Sequence, residues 1–151
     1  VKDLFATEAE ITRTALQRDD LLIVEGHGNP AEIGRCALWD ASIDVCVHQN
    51  HLIRVRFNRD IIAPVFGCTY LNSPGGRRHL LRAGKTTSGL NTISVSDVRS
   101  TPIALPPLTL QWKFVHRVQA IQRLKALQQA SLTELDALFA SLQHRAFRGE
   151  L

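Results

Sequence analysis

From Leu110 to Phe147 the chain runs for 38 residues without a single glycine or proline, and nothing else in it constrains the fold so strongly. The stretch is rich in Leu, Ala, Gln, Lys and Arg, all good helix formers. Apolar side chains recur at Phe114, Val118, Ile121, Leu124 and Leu127, then at Leu132, Leu135, Phe139, Leu142 and Ala146. Steps of three and four are those of one helical face, and the last five positions keep heptad spacing. Gly149 stands where a helix-ending glycine belongs. "SLTE" at 131–134 has the form of a capping box and would allow a break. With no glycine or proline nearby, one continuous helix is expected. At 1.5 Å per residue it would be roughly 55 Å long. A domain of about 100 residues has a radius of gyration of only about 13 Å. The helix is therefore expected to extend beyond its domain, and its apolar stripe to need a partner helix.

The preceding residues read as short strands and helices. A polar, helix-compatible lead-in covers residues 1–20. The apolar run Leu21–Val24, stopped by Gly26 and Gly28, predicts a short buried strand. "IGRCALWD" and "ASIDVCV" predict two more. "HLIRVRF" alternates Leu52, Arg54 and Arg56 against Ile53, Val55 and Phe57, a half-buried strand with one basic face. "RDIIAPVFGCTYLNS" has helical spacing, with Pro64 tolerable only in a first turn. "SPGGRRHLLRAG" predicts a turn and a helix beginning at Gly75–Gly76. "NTISVSDV" and "TPIALPP" read as strands, closed off by Pro106–Pro107.

Charge divides unevenly along this order. Residues 1–50 carry four basic and nine acidic side chains. Residues 51–99 carry eight basic ones against only Asp60 and Asp97, so a polyanion would be drawn to the middle third. A solvated basic face is the plainer alternative. Cys36, Cys46 and Cys68 show no Cys-x-x-Cys spacing and no disulfide framework, which suits a reduced, cytoplasmic setting. No apolar run is long enough to predict a membrane span.

Several chemistries fail on spacing. "GKTT" at 84–87 matches the tail of a phosphate-binding loop, but the required first glycine falls on His79, and a helix rather than a strand precedes it. Gly26, Gly28 and Gly34 are wrongly spaced for a dinucleotide fingerprint. Cys46, His48 and His51 could suggest a metal site, but alternation turns His51 away and no fourth ligand stands out. No catalytic constellation emerges, and Trp39 and Trp112 read as packing residues. What remains is the loop "GKTTSGLN", which offers an ammonium, hydroxyls and an amide to phosphate oxygens and base edges. Arg77 and Arg78 lie just upstream. An ordinary Ser/Thr-rich turn is the competing reading.

The order of segments "DDLLIVEGHGNPAEIGRCALW", "NHLIRVRF", "YLNSPGGRRHL" and "TTSGLNTISVSDVRSTPIALPPLTLQ", then a long helix ending "LDALFASLQHRAFRGEL", resembles the specificity subunit of type I restriction-modification enzymes. The likeness runs from about Asp19 to Leu151. The proline-proline-leucine lead-in with Gln111 and the closing "AFRGEL" are its most specific parts. An acidic residue usually precedes that glutamine, and here it is Leu110. The resemblance implies a mixed α/β recognition domain that reads half of a split DNA site. It also implies long helices that pair antiparallel, and modification and restriction subunits that carry the catalysis. Base-reading residues vary across the family and none is carried over.

The expectation is an α+β fold: a partial target recognition domain over residues 1–107 and a coiled-coil helix over 108–151. The opening strands of the recognition domain are expected to lie outside this chain, in a longer protein or in a partner. Arg77, Arg78, Lys85, Thr86, Thr87, Ser88 and Asn91 are the candidate DNA contacts, chosen on charge and loop chemistry. Val118, Ile121, Leu124, Leu132, Leu135, Phe139 and Leu142 are the candidate helix-pairing surface. The expected partners are double-stranded DNA, the modification and restriction subunits, and a second long helix, with no membrane, metal, cofactor or catalytic residue. The alternative is an inactive remnant, or a scaffold that binds the modification subunit without reading DNA.

Overall fold

The computed structural model describes residues 7–87 and 90–151. The fold is α+β with a long terminal helix, and it divides into two compact units, one ending at Trp112 and one spanning Lys113–Leu151. Helix α1 (Glu8–Thr14) opens on a capping box between Thr7 and Glu10. Strands β1 (Leu21–Val24), β3 (Cys36–Leu38) and β4 (Leu52–Val55) form an antiparallel sheet in the order β3-β1-β4. Strands β2 (Gly26–His27), β5 (Lys85–Thr87) and β6 (Leu90–Thr92) form a second one in the order β2-β6-β5. The register places Leu22 between Ala37 and Arg54, and Ile23 between Cys36 and Ile53. Period-two alternation then sends Leu21 and Ile23 into the core, where both are fully buried with Ile33, Ile53, Leu71, Leu80 and Ile93.

The expected strand over "HLIRVRF" is β4, and its basic face is used internally. Arg54 donates to the carbonyl oxygens of Ala15 and Arg13, at 2.9 and 3.3 Å. Arg56 grips the buried Asp20 carboxylate with two bonds, of 2.7 and 2.6 Å. Burial alone would push the Asp20 carboxyl up, but the Arg56 guanidinium and the Gln17 N–H together hold it below its usual range. These arginines fasten the lead-in to the sheet.

Helices α2 (Pro64–Asn72) and α3 (Pro74–Ala83) follow as expected, each with proline in its first turn. Ser73 ends one and caps the other, its hydroxyl donating to the Tyr70 carbonyl oxygen while accepting from the Gly76 N–H. A Cβ at Gly76 would lie 2.1 Å from the Tyr70 carbonyl oxygen, so only glycine permits so abrupt a joint. Gly34 has φ +72°, and a Cβ there would meet Leu80 at 2.9 Å, which lets α3 press onto that turn.

Three expected strands differ. In "ASIDVCV" only Val47 pairs, as an isolated bridge to Ala15, because Ala41 and Val45 adopt positive φ and the Asp40 carboxylate turns the chain at Ser42. In "NTISVSDV" the strand stops at Thr92, and helix α4 (Val95–Arg99) begins on a capping box between Ser94 and Asp97. "TPIALPP" forms no strand, since its three prolines offer no amide hydrogens to a ladder.

Helix α5 (Leu108–Phe147) is one uninterrupted element of 40 residues. Thr133 in "SLTE" donates to the Gln129 carbonyl oxygen as an internal helical residue, so that box is silent. Gly149, at φ +70°, ends the helix as expected, with the Glu150 N–H returning to the Arg145 carbonyl oxygen. No helix among the described residues is long and apolar enough to cross a membrane.

Candidate nucleic-acid interface

The basic segment runs from α3 through Gly84 into β5 and back along β6. Arg78 and Arg82, four residues apart, share one exposed face of α3, and exposed Lys85 opens β5. In the hairpin Lys85 pairs with Thr92, Thr86 with Asn91, and Thr87 with Leu90. Ser88 lies outside the described residues. Arg99 is exposed on α4, beside which the His79 Nε2 meets the Ser100 hydroxyl at 3.1 Å. Asp97 tempers the patch. Its carboxyl is held below the usual range chiefly by the Ser94 hydroxyl and N–H, with help from nearby Lys85 and His79.

Arg77 and Arg78 have different surroundings. Arg77 Nε donates to the Ile33 carbonyl oxygen at 3.0 Å, and its Nη2 donates to the carbonyl oxygens of Ile33 and Ala31. The guanidinium thereby clips α3 to the short 3-10 turn Pro30–Glu32, beside the Gly34–Leu80 contact. Helical spacing carried the signal. Arg77 is three residues before buried Leu80 and shares its face, whereas Arg78 and Arg82 share the other. Asn91 is partly committed as well, its amide donating to the carbonyl oxygens of His27 and Gly28 at 3.4 and 3.3 Å. These bonds tie β6, the central strand of its sheet, to the turn beyond β2.

No group of three or more His, Cys, Asp or Glu residues suited to a metal ion occurs among the described residues. Cys46 Sγ donates to the Val47 carbonyl oxygen, and His48 meets the Gln49 carbonyl oxygen.

On α5 the candidate pairing residues lie together. At about 100° per residue, Val118, Ile121, Leu124, Leu132, Leu135, Phe139 and Leu142 fall within an arc of roughly 120°. Val118 is half-buried and the other six are exposed, Leu135 at 62% and Phe139 at 63%. From Gln119 onward every residue is exposed, so this apolar arc faces solvent.

Gln111, in the first turn of α5, is 1% exposed and fully bonded. Its Oε1 accepts from the Ala63 N–H, and its Nε2 donates to the carbonyl oxygens of Ile61 and Pro106, all at 2.9 Å. One amide thus joins the start of α2, the double-proline turn and the start of α5.

No family model matches the chain. Two proteins of known role do. It is 31% identical over 160 aligned positions to the type I restriction enzyme EcoKI specificity subunit of Escherichia coli strain K12, an alignment covering all of this chain and 33% of that protein. It is 30% identical over 147 positions to the type I restriction enzyme StySPI specificity subunit of Salmonella potsdam, covering 94% of this chain and 32% of that protein. The chain spans about a third of the length of these curated relatives. The likeness read from its motif order is borne out: along nearly its whole length, the chain is similar to one third of a type I restriction-enzyme specificity subunit.

Proposed function

We propose that this chain contributes DNA sequence preference to a type I restriction-modification complex as a non-catalytic element, directing methylation and cleavage carried out by partner subunits in the cytoplasm. The observation that carries the reading is the exposed set Arg78, Arg82 and Lys85, which leads directly into the β5–β6 hairpin. Arg78 and Lys85 neutralise phosphates. Arg77 serves this surface indirectly, by fixing α3 on its turn. Thr86, Thr87, Ser88 and Asn91 bring hydroxyl and amide groups to base edges. Residues 1–107 act as part of a recognition domain and 108–151 as the pairing helix. At 1.5 Å per residue α5 is about 60 Å long, comparable to roughly 18 base pairs at 3.4 Å each. Paired with a second long helix, it would hold two half-site readers at a fixed separation and offer a platform to the modification and restriction subunits.

The double substitution Arg78→Ala/Lys85→Ala tests the phosphate role. Bound to the modification subunit, the variant should lose affinity for DNA of every sequence. Two lost phosphate contacts should also flatten the slope of log K against log salt by about 1.8. Fluorescence anisotropy across a salt series measures both. An unchanged slope would remove these two residues from the interface, and a chain that binds the modification subunit but never DNA would favour the scaffold reading.

A further inference from the structure

Two of the three cysteines stand together although 32 residues separate them in the chain. Cys36 belongs to the edge strand β3 and Cys68 to α2. The Cys36 Sγ donates to the Cys68 carbonyl oxygen at 3.7 Å, and the Cys68 Sγ donates to the Cys36 carbonyl oxygen at 3.8 Å, so each thiol reaches back to the other residue's backbone. Asn72, one helical turn after Cys68, locks the arrangement. Its Oδ1 accepts from the Cys36 N–H at 3.1 Å, and its Nδ2 donates to the Cys36 carbonyl oxygen at 2.7 Å and to the Cys68 Sγ at 3.6 Å. The amide side chain pairs with the edge of β3 as a neighbouring strand would, and so holds the two sulfurs in register. Both residues are half-buried. Cys46 has no such contact with either of them.

We propose that Cys36 and Cys68 are a modification site, a dithiol that hydrogen peroxide converts reversibly to a disulfide joining β3 to α2. The Cys68 thiolate attacks one peroxide oxygen and the O–O bond breaks. The departing hydroxide takes a proton to become water, and Cys68 is left as a sulfenic acid. Cys36 then attacks that sulfur and gives up its proton, the S–O bond breaks, and a second water leaves. Two thiols and one peroxide become one disulfide and two waters, with two electrons passing from sulfur to oxygen. The roles follow from the surroundings. The Asn72 Nδ2 donates to the Cys68 Sγ at 3.6 Å and so favours a thiolate there, whereas the neighbouring Cys68 thiol and burial push the Cys36 thiol up. Cys68 is therefore the thiol that ionises first. The disulfide closes a loop of about 30 residues, which should raise Tm by roughly 10 °C until a dithiol reductant restores the free pair.

The test needs no DNA and is independent of the recognition reading. The whole chain is treated with hydrogen peroxide, alkylated under denaturing conditions and weighed intact. Loss of two hydrogens, a single alkylated cysteine assigned to Cys46, and a peptide linking Cys36 to Cys68 are expected, all reversed by dithiothreitol. Three alkylated cysteines, or a link to Cys46, would overturn the proposal. The Cys36→Ser and Cys68→Ser variants, checked for folding by circular dichroism, separate the roles. Dimedone should trap a sulfenic acid at Cys68 in the first and none at Cys36 in the second, and the opposite labelling would overturn the mechanism.

Discussion

Replacing Leu135 and Leu142 together by glutamate is expected to leave the helix intact and abolish its pairing. Both side chains are exposed, at 62% and 41%, so the substitutions open no cavity and bury no charge within one molecule. Glutamate is also a good helix former. In a paired helix the same positions face a partner's apolar side chains, and each carboxylate would then have to be desolvated. That costs several kcal/mol per unpaired charge, so the two together should weaken pairing more than about 1000-fold. Sedimentation and co-purification with the modification subunit measure the loss, and circular dichroism verifies the helix. Ala130 and Ala137 lie on the opposite side of α5, about 180° from the centre of the apolar arc. Replacing these two by glutamate should leave assembly unchanged. If assembly tolerates the leucine pair and fails with the alanine pair, the seam runs along the other face.

Gln111→Leu should be the most damaging single change in the first unit. The volumes are close, but the leucine would leave the Ala63 N–H and the carbonyl oxygens of Ile61 and Pro106 without the partner they share. The Ala63 N–H is buried and the two carbonyl oxygens partly so; a buried polar group deprived of its partner costs about 1–3 kcal/mol, so losing all three bonds should remove about 3 kcal/mol or more. For a chain of this length that lowers Tm by roughly 10 °C or more. The mid-helix change Gln128→Leu, at an exposed site, should cost almost nothing. Thermal unfolding of the two variants compares them directly. Equal Tm values would mean that the three backbone groups find other partners, and that this amide does not fasten the start of α5.

The structure also separates what local pattern encodes from what only folding brings together. The α5 helix was legible because a 38-residue run without glycine or proline leaves few alternatives. Leu21–Val24 was legible because its apolar run is bounded by turn residues, and α2 because Pro64 fits only a first helical turn; α3 begins at Pro74, just before the expected Gly75–Gly76. The expected strand over "NTISVSDV" gives way to helix from Val95, although Ser94 and Asp97 already held the spacing of a capping box. The candidate interface was half visible. Charge marked the α3–β5 segment, but the division of labour between Arg77 and Arg78 needed the knowledge that Leu80 is buried. Gln111 stands in a recognisable motif, while its reason for being there spans 48 to 50 residues of sequence. The Cys36–Cys68 pair has no local signature at all, because strand, helix and Asn72 meet only in the folded chain.

Recognition of sequence, as opposed to attraction to phosphate, is the claim on which the functional account stands. The most direct measurement is selection from a random DNA pool by the chain bound to the modification subunit, at low and at high salt. The account predicts that a defined subset of sequences is retained, at least about 1000-fold tighter than the bulk pool, and that this subset survives the salt increase while the rest is released. Retention of all sequences alike, fading together as salt rises, would contradict it.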